Sequence, residues 1–171
     1  MMWPAAINAP AIDEAIADHP DMRQDTIRMF GLPEADLAAG LRAAQDEIVG
    51  LDELEITTCL RRGELEIVTR YPVSATDDYT ALSDFLTGLY PTETFSTDGT
   101  TIDDQLADLL TGRRIATAES CTGGMVAARL TDRAGSSAYV QGGVVSYSND
   151  VKINSLGVPA SMIDELGAVS E

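Results

Sequence analysis

The stretch Ala116-Thr-Ala-Glu-Ser-Cys-Thr-Gly-Gly-Met-Val-Ala-Ala-Arg-Leu130 decides how the second half of this chain folds. Arg114 to Ala118 suits a strand and Gly123 to Leu130 suits a helix, so Ser120 to Gly124 make the turn between them. In open α/β folds, that carboxyl edge of the sheet is where ligands bind. A helix N-terminus there has unpaired N–H groups and a partial positive charge of about half a unit. Gly123 and Gly124 let a backbone approach an anion, and the hydroxyls of Ser120 and Thr122 can point inward. The loop is thus expected to hold a phosphate or a developing oxyanion. Read alone it stays ambiguous, because Ser and Thr before a helix are caps more often than nucleophiles. Glu119 reads equally as a solvated acid or a partner of the helix dipole.

Outward from this loop, Thr101 with Asp104 suits a helix start, and Ile102, Leu106, Leu109 and Leu110 supply an apolar face. Residues 131–137 form a connecting loop. Ala138 to Tyr147 reads as a buried strand, with Gly142 and Gly143 where another backbone comes close. Asn149 or Asp150 can cap a helix through Leu156, and Pro159 opens another towards Leu166. Helix, strand, helix, strand, helix implies a three-layer α/β unit around a parallel or mixed sheet. Tyr147 then falls at the end of the second strand and Lys152 on the first turn of the next helix, so both could face the same sheet edge.

A serine nucleophile needs a base. His19, the only histidine, sits beside Pro20 and reads as a solvated turn residue, which removes a Ser–His triad. Arg never deprotonates under ordinary conditions, whereas Lys can serve where its surroundings lower its pKa. The basic side chains are ten Arg and one Lys, and that lysine, Lys152, falls where a Ser/Lys mechanism would want it. On spacing alone an exposed lysine at a helix start is the simpler reading.

The first hundred residues differ in character. Residues 1–30 hold short apolar runs broken by Pro4, Pro10 and Pro20, and read as one or two helices in a peripheral segment. Gly31 begins a fresh unit. Leu37, Ala38, Leu41 and Ala44 keep the spacing of one buried helix face, and Leu54–Leu60 with Glu64–Arg70 read as a hairpin around Arg61-Arg62-Gly63. A helix over Asp77 to Leu89 carries the stripe Ala81, Leu82, Phe85, Leu86 and Leu89, and residues 92–96 can add an edge strand. This small α+β layer, residues 31–98, resembles a KH-like layer, but it has no GxxG loop to clamp a nucleic-acid backbone. Fourteen acidic residues face four arginines within it, so a spacer or dimerisation role, in a homo-oligomer, is expected. The polar cluster Ser96 to Thr101 marks the boundary with the second domain, residues 99–171.

Bulk properties narrow the function classes. A chain of 171 residues, 44% of them hydrophobic, can bury a core. Its net charge of −17 repels phosphodiester backbones and anionic membranes. No apolar run approaches the roughly 18 residues that span a bilayer, and the Met-Met-Trp-Pro start lacks signal-peptide features, so a cytoplasmic protein is expected. Cys59 and Cys121 read as free thiols, with no metal-ligand spacing.

TAESCTGG, then LTDRAGSSAYVQGGVVSYSNDVK, then LGV and GAVSE, resemble the C-terminal domain of the CinA family, the competence/damage-inducible proteins that include nicotinamide mononucleotide deamidases. The likeness spans about residues 101–171, and residues 31–98 look like the middle KH-like layer of longer members. The resemblance implies hydrolysis of the carboxamide of nicotinamide mononucleotide to nicotinic acid mononucleotide and ammonia, with a pyridine nucleotide as the small-molecule partner and no metal or cofactor. It implies Ser120 as nucleophile or as the hydroxyl that engages the amide, Lys152 as general base and Tyr147 as proton relay or orienter. Glu119, Thr122, Gly123 and Gly124 would bind substrate, some as donors to an oxyanion or a phosphate. Family members continue well past the point matching Glu171 and carry a further N-terminal domain, so a partial α/β domain with an unpaired sheet edge is expected.

Overall fold

The computed structural model describes residues 21–169 and divides the chain into two compact units, parted between Thr101 and Ile102. The first is an antiparallel sheet with helices. Strand β1, Met22–Phe30, leads to helix α1, Glu34–Glu47; the hairpin β2, Glu55–Arg61, and β3, Glu64–Pro72, follows; helix α2, Thr76–Leu89, leads to the short strand β4, Thr94–Ser96. The sheet order is β2-β3-β1-β4, so β1 is central and not peripheral. This corrects the reading of residues 1–30 as helical over the part described, 22–30; residues 1–20, with His19, lie outside the described residues. Thr26 to Phe30 is too short a run for periodicity to separate strand from helix. What decides it is pairing: Ile27 and Met29 stand opposite Ile67 and Leu65 on β3, and all four are at most 1% exposed. The resulting βαββαβ order interlocks two split βαβ units, as in ferredoxin-like layers.

The hairpin turns on Arg62 and Gly63, with φ of 53° and 84°, the left-handed pair that a two-residue hairpin loop needs. Leu65, Ile67, Thr69 and Tyr71 alternate along β3 into the core, where Leu37 and Ala44 of α1 and Leu82 and Leu86 of α2 meet them. The expected inward face of β2 is only partly realised. Ile56 is half-buried, but Leu60 is 54% exposed because β2 is an edge strand. At the end of this unit the Arg28 Nε donates to the Gly99 carbonyl (2.8 Å), and Asp98 accepts from the Ser96 hydroxyl (2.9 Å) and the Thr100 N–H (2.9 Å), so the polar cluster is an ordered turn.

The second unit contains helix α3, Ile102–Leu109, strand β5, Ile115–Glu119, helix α4, Met125–Thr131, strand β6, Val140–Val145, and helices α5, Asn149–Leu156, and α6, Ala160–Leu166. β5 and β6 pair in parallel, with Ala116 opposite Gly142 and Glu119 opposite Val145, so α4 lies in the crossover between them. The strand expected over Ala138–Tyr147 is shorter, since Ser136–Ala138 form a 3-10 turn, and it is largely exposed rather than buried. Gly143 does mark a close approach: a Cβ there would sit 3.4 Å from the Thr117 carbonyl oxygen and 3.6 Å from the Ala127 Cβ. Leu109, on the apolar face expected of α3, is 71% exposed, and Ala107 is the buried residue of that helix. Among the described residues no helix is long and apolar enough to cross a membrane.

Candidate active site

Both parallel strands end at one edge, and the residues just past them build the site. β5 runs one residue further than its apolar pattern suggests, so Glu119 closes the strand at 5% exposure and Ser120 is the first residue of the loop. Past β6 comes Ser146, itself 4% exposed. Its N–H donates to the Glu119 carbonyl (2.6 Å) and its hydroxyl donates to the same oxygen (3.1 Å). Ser148 caps α5 by accepting from the Val151 N–H (3.3 Å), which starts the helix so that Lys152 turns inward.

The structure brings Ser120 and Lys152 together. Lys152 is 9% exposed, not the exposed lysine that spacing alone suggests, and its Nζ donates to Ser120 Oγ (3.0 Å) and to the Ser146 carbonyl (2.7 Å). One N–H is thus held on a fixed acceptor while the amine faces the hydroxyl. Ser146, which touches the lysine through its carbonyl, went unnoticed in the motifs, because a main-chain oxygen is signalled by no residue type.

Tyr147 is not brought to this pair. It is 73% exposed and makes no hydrogen bond among the described residues. The loop donors are also differently committed than expected. The Gly123 N–H donates to the Ser120 carbonyl (3.0 Å), and the Thr122 hydroxyl donates to Glu119 Oε2 (2.9 Å). Gly123 and Gly124 have φ of 60° and 98°, a left-handed pair that only glycine adopts freely, so the turn requires them whatever else they do.

Glu119 is neither solvated nor idle. Oε1 accepts from the Ala127 N–H (2.8 Å) and Oε2 from the Val126 N–H (2.9 Å), which caps α4 from the preceding strand. Burial works to raise its pKa, but the N–H groups of Ala127 and Val126 and the Thr122 hydroxyl outweigh it and bring it down from 4.5 to about 2. A carboxyl depressed on folding stabilises the fold above its unfolded pKa, and that contribution is lost as pH falls from about 4.5 through about 2. The midpoint of thermal unfolding is therefore expected to drop more steeply across that window in the wild type than in Glu119→Gln. Parallel curves would refute the assignment. Asp98, also brought down to about 2, acts alike in both proteins and cancels.

Both cysteines are free and exposed, and the described residues hold no cluster of potential metal ligands.

Residues 99–171 match the CinA C-terminal domain family. A CinA-like protein of Mycolicibacterium gilvum is 62% identical over 99% of this chain and 40% of its own length. A CinA-like protein of Mycobacterium tuberculosis is 54% identical over the same shares. The chain thus spans about 40% of the length of the curated relatives it matches. Among solved structures, the competence damage-inducible protein A of Klebsiella pneumoniae is 42% identical, with a TM-score of 0.39 over 40% of this chain and 44% of that one.

Proposed function

We propose that this chain, whose residues 99–171 belong to the CinA C-terminal domain family, carries the Ser/Lys centre of a cytoplasmic amidohydrolase that acts on nicotinamide mononucleotide. The observation that carries the reading is the 3.0 Å contact between the Lys152 amine and the Ser120 hydroxyl at the end of a parallel strand pair. In the neutral amine the direction of that contact reverses, and the Ser120 O–H donates to Nζ. The freed oxygen attacks the carboxamide carbon, the proton passes from Nζ to the departing nitrogen, and ammonia leaves. The ester on Ser120 is then hydrolysed by water, which releases nicotinic acid mononucleotide. The Ser146 carbonyl keeps the amine oriented throughout, as a third group does for the base in other nucleophile–base pairs.

The test is direct. The protein is incubated with nicotinamide mononucleotide, and ammonia and nicotinic acid mononucleotide are quantified. Equal yields of the two are expected; neither product above the uncatalysed background would overturn the reading.

A further inference from the structure

We propose that Glu119 is a positioning residue for Ser120 and Lys152, its carboxylate tying the 120–124 loop to α4 so that the serine hydroxyl stays within reach of the amine, and not a contact to substrate. The inference rests on the reading above that this pair carries the chemistry.

Three observations bear on it. A substrate contact needs a free, accessible oxygen, yet Glu119 is 5% exposed and both its oxygens are occupied, one by the Ala127 N–H and the other by the Val126 N–H and the Thr122 hydroxyl. Second, Ser120 is the next residue in the chain, so the peptide that carries the hydroxyl is pinned through Glu119 at two ends. The carboxylate holds α4, and the carbonyl takes two hydrogen bonds from Ser146. Third, these contacts close a ring. The Glu119 carbonyl binds Ser146, the Ser146 carbonyl holds Lys152 Nζ, and Nζ returns to Ser120 Oγ. A closed ring fixes a distance that a single contact cannot. Slack of about 1 Å at a nucleophile can cost roughly 100-fold in rate.

Glu119→Gln keeps the shape but sets an amide NH2 against one of the two backbone N–H donors, donor facing donor. Since the chain has a single lysine, labelling lysine at Cε and Nζ gives one magnetic-resonance signal, that of Lys152. In Glu119→Gln this signal is expected to move in the same direction as in Ser120→Ala, with faster exchange of the amine protons. With nicotinamide mononucleotide, kcat is expected to fall about 10- to 100-fold with KM within about twofold. An unmoved lysine signal, or a raised KM with kcat retained, would overturn the proposal in favour of a substrate contact. If Glu119→Gln does not fold, Thr122→Val removes one hydrogen bond of that carboxylate, and a smaller displacement in the same direction is expected; none would overturn the proposal. The two readings separate cleanly. A fully active Lys152→Arg would sink the Ser/Lys chemistry, whereas the lysine signal tests the role of Glu119 with no turnover at all.

Discussion

Lys152→Met and Ser120→Ala are each expected to lower ammonia release from nicotinamide mononucleotide by about 10³-fold or more, with fold retained. A nucleophile and its base act as a unit, so losing either forfeits most of what both supply, and the double variant should be little worse than the singles. Met matches the length of the lysine stem and brings no basic nitrogen. Removing the amine relieves its desolvation but leaves the buried Ser146 carbonyl without that donor, so the two effects oppose and the fold is expected to survive with a loss of at most about 1–3 kcal/mol. Lys152→Arg is the sharper comparison. Arg keeps the positive charge but cannot accept a proton at ordinary pH, so it preserves anion binding and abolishes base catalysis. If the loop only cradled a phosphate, or the unit served only for assembly, Lys152→Arg would retain ligand binding and every activity. Single-turnover ammonia release, with thermal unfolding as the check on fold, distinguishes these outcomes; a wild-type rate in Lys152→Arg would remove the lysine from the mechanism.

That Ser120 and Lys152 meet at one sheet edge was legible because it depends on local punctuation. A short apolar run, two glycines that demand left-handed backbone and a helical pattern place Ser120 at a strand end, and the lone lysine lies on the first turn of the helix that follows the next strand. What surrounds the pair was not legible, for two physical reasons. Strand ends shift by a residue according to pairing, so Glu119 closes β5 and is buried; of its two readings the structure keeps the partner of the helix start and not the solvated acid. Main-chain acceptors such as the Ser146 carbonyl carry no residue signature. Long-range pairing explains the error at the other end too. Nothing local distinguishes Thr26-Ile-Arg-Met-Phe30 as strand until β3 stands beside it, and then Arg28 reaches Glu66 (2.7 Å) on the face opposite the core. The exposure of β6 has the same root, since a run of Gly, Val and Tyr reads as buried only if further elements cover it.

Helix α2 allows the sequence pattern and the packed structure to be weighed by measurement. Periodicity assigns Leu82, Leu86 and Leu89 to one buried stripe as equals, but the structure separates them: Leu82 and Leu86 are fully buried, while Leu89, beside the helix end at Tyr90, is 47% exposed. Leu82 packs among the residues that join the sheet to both helices, so truncation leaves a cavity with little freedom to collapse. Leu82→Ala is expected to destabilise the first unit by about 3 kcal/mol, the sum of lost transfer energy and cavity cost. Leu89→Ala removes the same atoms from a half-wet site, where much of their surface already faces water, and is expected to cost under about 1 kcal/mol. Urea unfolding followed by circular dichroism reads both, through the transition midpoint at unchanged slope. Equal losses would mean that the stripe packs as periodicity alone suggests and that the helix end is covered. A loss at Leu82 several times that at Leu89 would show that burial against β1 and β3, rather than helical spacing, sets the energetics of this layer.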